Sequence, residues 1–158
     1  MRIFQLTLVM VGMLVGGVRA ASVAPFPSRA HWSQSGDIGA MVLGPRAMSI
    51  LRMDGMITAA VSTDEDISLV DFAADGSLLA YATDTKVHII HVDGTEVAAL
   101  PAKSCLALRW SANASKLLYT SIEDGAVAGQ KRLVVYTVDA DGTNKKSILS
   151  QSYASAGP

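Results

Sequence analysis

ISLVDFAADGSLLAYATDTKVHIIHVDGTEVAAL, residues 67–100, decides the fold: short apolar runs alternate with turn residues, and the same plan recurs before and after it. Residues 67–72 read as a first strand, Ala74-Asp75-Gly76 as a turn and 77–83 as a second strand. Residues 86–92 read as a third strand, Asp93-Gly94 as a turn and 95–100 as a fourth. In an Asp-Gly turn the glycine takes a positive φ without a Cβ clash, and the aspartate bonds its own backbone. Four short strands joined by tight turns make one antiparallel sheet.

An aromatic residue followed by a small polar turn appears three times: Trp32-Ser33-Gln34-Ser35-Gly36, Phe72-Ala73-Ala74-Asp75-Gly76 and Trp110-Ser111-Ala112-Asn113-Ala114. The spacings are about 40 and 38 residues. A second marker keeps the same phase, as Met53-Asp54-Gly55, Val92-Asp93-Gly94 and Asp139-Ala140-Asp141-Gly142. The third unit is longer, with its extra residues at 121–130. Leu78-Leu79-Ala80-Tyr81 and Leu117-Leu118-Tyr119 are continuous apolar runs, so both faces of these strands are expected to be covered. Radial stacking of four-stranded blades meets that need at this repeat length. The expected fold is all-β, with β-propeller-type four-stranded antiparallel blades in an incomplete ring. The repeats are placed at about 28–62, 66–101 and 105–150, followed by a tail at 151–158 with no further strand.

Residues 108–121, centred on Trp110-Ser111 and ending in Leu117-Leu118-Tyr119-Thr120-Ser121, resemble the TolB-like, WD-repeat-like propeller motif. The middle unit is similar through Phe72, Asp75, Gly76, Leu78 and Tyr81, and the first through Trp32, Ser33 and Gly36. Gln34, Ala74 and Ala112 stand where that motif has proline, and Ala114 stands where it has glycine. The resemblance implies the propeller fold. It leaves function open, because such propellers serve as scaffolds, as binding modules and as gates of serine peptidases.

The chain has 158 residues, 50% of them hydrophobic, enough for a real core and unlike a disordered chain. Its net charge of -1 provides no broad basic surface, so nucleic acid is not an expected partner. Cys105 is the only cysteine, which excludes an internal disulfide and a cysteine-based zinc cluster; it reads as a packed residue. Arg2, the uncharged apolar run 3–18 and Val18-Arg19-Ala20 read as a secretory signal peptide over 1–20, followed by a linker at 21–27. The run is shorter than a membrane span needs, and an uncleaved anchor at 3–18 is the alternative. The expected location is therefore periplasmic or secreted.

Candidate chemistry is sparse. His88 and His91, three apart in a strand, point to opposite faces and cannot chelate together, and His31 has no neighbour in sequence to help it. With Gly142 at the sixth position of a calcium loop, Ile148 falls where a bidentate glutamate is required. No Gly-x-Ser-x-Gly elbow and no phosphate-binding loop occurs, so neither catalysis nor a cofactor is expected. Asn113-Ala114-Ser115 is a formal glycosylation sequon whose use as a turn is sufficient.

Topology then locates binding. In an up-and-down blade the turns after the first and third strands share one rim, which the Asp-Gly markers occupy. The opposite rim carries Asp64, Glu65 and Asp66 in one inter-blade linker, and Glu123, Asp124, Gly125 and Gln130 in the expected loop 121–130. These residues are the candidate partner-binding rim. The expected function is recognition of a protein or small ligand through that rim. The alternative is the substrate-gating propeller of an exported prolyl-oligopeptidase-type peptidase whose catalytic domain is absent. Three units fall below the four to eight blades of closed propellers. A piece of a longer product is the favoured explanation, and closure by a homodimer is the alternative.

Overall fold

The computed structural model describes residues 29–154, so the expected signal peptide and linker lie outside the described residues. Twelve strands form three separate four-stranded antiparallel sheets, each in up-and-down order. The first blade holds β1 (Arg29–Trp32), β2 (Ile38–Gly44), β3 (Ala47–Arg52) and β4 (Ile57–Ser62). The second holds β5 (Leu69–Phe72), β6 (Leu78–Ala82), β7 (Lys86–His91) and β8 (Glu96–Pro101). The third holds β9 (Leu108–Trp110), β10 (Lys116–Asp124), β11 (Gln130–Asp139) and β12 (Lys146–Ala154). The chain is an all-β, incomplete propeller, as its repeat predicts.

Alternation along each strand divides the apolar residues between two interfaces. Blade 2 turns Leu79, Tyr81 and Ile90 toward blade 1, where they meet Ala40, Val42, Met48 and Ile50. Its other face turns Ala80, Ala82, Val87 and Ile89 toward Leu117, Tyr119 and Val138 of blade 3. The continuous apolar runs are thus covered on both sides in the middle blade. β1, β5 and β9 are the neighbouring first strands of the three blades, lining the inner side of the arc.

Six turns on one rim share one design. Asp54, Asp75, Asp93 and Asp141 each accept a hydrogen bond on Oδ1 from the backbone N–H two residues on, at 2.9–3.0 Å. Ser35 Oγ and Asn113 Oδ1 do the same at 3.4 and 3.3 Å. Gly36, Gly55, Gly76, Gly94 and Gly142 follow these residues, all at positive φ. The sixth position is Ala114 at φ 57°, where an L side chain crowds the backbone. Ala114→Gly is therefore expected to raise the unfolding free energy by about 0.5–1 kcal/mol, the relief of strain exceeding the added chain entropy. Urea titration followed by Trp fluorescence measures it.

Two expectations need correction. The stretch 121–130 is no loop: β10 and β11 pair without interruption from Lys116↔Asp139 to Asp124↔Lys131, and only residues 125–129 form the turn. The added length extends the ladder, where the paired Ser121 and Val134 are each 2% exposed. β12 also runs on to Ala154, pairing Gln151 with Leu133 and Tyr153 with Lys131, so residues 151–154 are strand and not tail. A long β11 offers pairing groups that a longer β12 satisfies.

Candidate functional site

The inter-blade linkers and the second-to-third strand turns meet on the rim opposite the Asp-Gly turns. Thr63 N–H donates to Arg46 O at 2.9 Å, Ala102 N–H to Thr85 O at 2.9 Å, and Ile122 N–H to Lys103 O at 2.7 Å. A groove opens at each of the two joints.

The first groove, about 310 Å³, lies between blades 1 and 2 beside Asp64, Glu65, Lys86 and Glu96. Its floor is built by Tyr81 and His88, cross-strand partners whose rings stack 4.6 Å apart at 8°. His88 Nδ1 lies 2.9 Å from Glu96 Oε2. Burial pushes the Tyr81 hydroxyl up to about 12. His91, on the other face of the same strand, is exposed.

The second groove, about 250 Å³, lies between blades 2 and 3 beside Lys103, Glu123, Asp124 and Lys145. Tyr136 Oη donates to Glu123 Oε1 and Arg132 Nη2 donates to Glu123 Oε2, both at 2.6 Å. The Tyr136 hydroxyl holds the Glu123 carboxyl below its usual range, helped by the Arg132 guanidinium and the Lys145 charge and opposed by burial. Lys145 Nζ sits 3.9 Å from the centroid of the Tyr136 ring, and burial lowers its ammonium.

The carboxylates named from the sequence are on this rim, and most are already engaged. Asp66 pairs with Arg46 Nε at 2.9 Å, and Asp124 with Lys131 Nζ at 2.7 Å. Glu65 Oε2 accepts from Thr85 N–H at 2.9 Å and its Oε1 from Thr85 Oγ1 at 2.6 Å. Gly125 and Gln130 close the hairpin, Gly125 N–H donating to Gln130 O at 2.9 Å. Asp66, Glu123 and Asp124 are thus paired with basic side chains, whereas Glu65 is held by a threonine without a cation.

Hydrogen bonds from Thr85 and then Thr83 hold the Glu65 carboxyl down to about 2. A depressed carboxyl contributes its bond fully above the unfolded value and loses it as pH falls through the folded one. The Glu65–Thr85 clasp is thus expected to open between about pH 4.5 and about pH 2. The readout is protection of the Thr85 amide relative to its intrinsic exchange rate, which should fall in that window and be low at every pH in Glu65→Ala.

One ionisable cluster was not named from the sequence. His31, Asp71 and Arg109 each precede the aromatic marker of their repeat and line a cleft of about 310 Å³ on the inner side of the arc. Arg109 Nη1 lies 3.2 Å from Asp71 Oδ1, and Trp110 N–H donates to Asp71 Oδ2 at 2.9 Å. Burial, then Arg29, lowers the His31 imidazole. The signal was a charged or ionisable residue at one fixed place in every unit.

The remaining candidates are structural. Asp141 Oδ1 accepts from Thr143 N–H and Oγ1 at 2.9 and 2.7 Å, which is turn chemistry. Asn113 caps its own turn through Ser111 and Ser115. Cys105 is buried, its Sγ donating to Ala107 O at 3.1 Å, and burial raises its thiol. Among the described residues no group of His, Cys, Asp and Glu is placed to hold a metal ion, and no helix is long and apolar enough to cross a membrane.

No sequence-family model matches the chain, and no curated protein does. Solved structures do. A eukaryotic initiation factor is similar at 10% identity and TM-score 0.61, covering 83% of this chain and 34% of that one. A protein assigned as TolB from Agrobacterium tumefaciens is similar at 19% identity and TM-score 0.54, covering 79% of this chain and 50% of that one. The WD40 domain of SCAP from fission yeast is similar at 10% identity and TM-score 0.53, covering 82% and 32%. The chain spans a third to a half of the length of these structures. With the blades and their turns, they identify the fold as a propeller of the TolB-like and WD40-like type.

Proposed function

We propose that the chain is an exported recognition module that holds a polypeptide partner along the rim where its two grooves open, without catalysing a reaction. The observation that carries this reading is the rim itself. Both joints between blades open on the same side, the first over the stacked rings of Tyr81 and His88, and several flanking side chains are bonded to neighbours: Glu65 to Thr85, Glu96 to His88 and Asp124 to Lys131. A partner lying across them meets ordered donors and acceptors at little entropic cost. The signal-like segment at the N-terminus supports export.

The test is selective loss of one partner. Deleting 121–130 removes buried Ser121, whose Oγ accepts from Lys103 N–H at 3.0 Å, so that deletion damages the fold. Replacing residues 125–130 by Asn-Gly joins Asp124 to Lys131 through a two-residue turn and preserves the register of the ladder. A partner captured by the native chain should be lost with this short hairpin or with Lys86→Glu, and kept with Ser77→Ala on the opposite rim. Equal capture by all variants rejects the rim.

A further inference from the structure

The two internal joints repeat one arrangement, and each end of the arc holds one half of it. On the face that meets the preceding blade, a row runs Phe72, Leu79, Ile90 in blade 2 and Trp110, Leu117, Val138 in blade 3. Of these Phe72, Leu79, Ile90, Leu117 and Val138 are at most 8% exposed. The same row in blade 1 runs Trp32, Gly39, Leu51, Ile57, with Trp32 52% and Ile57 62% exposed. On the face that meets the following blade, Ala40 and Ile50 in blade 1 and Ala80 and Ile89 in blade 2 are at most 1% exposed. Leu118 and Thr137 hold those places in blade 3 and stay half-buried.

We propose that the chain closes a ring with a second copy of itself, the outer face of blade 3 in each copy seating on the outer face of blade 1 in the other. The step that carries blade 1 to blade 2, and blade 2 to blade 3, then carries blade 3 to blade 1 of the second copy. The three described blades of each copy make six together, within the four to eight that close, and a twofold axis makes the two new contacts alike. Two details fit this occupant. Trp110 Nε1 donates to Asp71 O across the internal joint at 3.2 Å. In the ring Trp32 Nε1 faces the carbonyl of Arg109, which holds the place of Asp71. At the internal joints Gly94 lies against Ala59 and Gly142 against Ala98. Lys146 takes that alanine's place in blade 3, paired with Thr137 as Ala98 is with Ile89, and comes to lie against Asp54-Gly55 of the other copy, opposite charge to opposite charge.

Light scattering of the full chain over a dilution series tests the idea. The expected mass is that of two copies. Leu51→Arg and Leu118→Arg, on opposite outer faces, are each expected to be monomeric with an unchanged circular dichroism spectrum. Their equimolar mixture regains a two-copy mass, because one intact contact survives. Should either charge unfold the chain, Trp32→Ala serves instead and raises the dissociation constant about thirtyfold or more. A folded monomeric native chain, as expected if other blades of a longer polypeptide cover these faces, overturns the proposal. So does a mass that grows without limit, or a mixture that stays monomeric.

Discussion

Gly142→Ala is expected to lower the unfolding free energy by about 3 kcal/mol, against about 1 kcal/mol for Gly36→Ala. Both glycines follow a turn residue at positive φ, 83° and 76°, so both substitutions impose the same backbone strain. They differ in what a Cβ meets. At Gly36 nothing lies within 4 Å, whereas at Gly142 the new atom falls 2.4 Å from Ala98 Cβ. Ala98 has no flexible chain to move aside, so blades 2 and 3 must separate. Urea denaturation separates the two contributions: Ala98→Gly in the Gly142→Ala background should recover the contact and leave the cost of the turn. An equal loss at Gly36 and Gly142 would assign the whole effect to the backbone and none to the joint.

Leu117→Ala is expected to cost about 3 kcal/mol. Leu117 is fully buried between Trp110, Val138 and the second blade, in a joint whose other members are also closed to solvent. The cavity cannot collapse without moving two sheets. Leu106→Ala, 64% exposed on the adjoining linker, should change stability by no more than about 0.5 kcal/mol. Comparable losses at the two leucines would contradict the placement of the core between blades.

Much of this architecture was legible because a repeat announces itself through residues with strict local demands. Asp54, Asp75, Asp93 and Asp141 with their glycines can be read one turn at a time, and Trp32, Phe72 and Trp110 fix the period. At 121–130 Gly125 and Gly129 carry a loop signal that masks the strand character of 121–124. Whether Glu123 faces Arg132 or solvent depends on a register that only pairing with β11 decides. The same holds for the rim carboxylates. Sequence places Glu65 and Thr85 far apart, so the clasp that binds them is visible only once the linker and the turn meet. The inner cluster of His31, Asp71 and Arg109 is hidden for the opposite reason: each residue is ordinary alone, and only the meeting of the three first strands makes them a group.

Because each blade touches only its sequence neighbours, the described chain is a short one-dimensional lattice, in which stability is a sum of unit terms and nearest-neighbour couplings. Within a single copy an end unit is bound by one coupling and the middle unit by two, so opening proceeds inward from both ends and the amides of β6 and β7 exchange last. Closing the ring with a second copy gives each end unit its second coupling and removes that order.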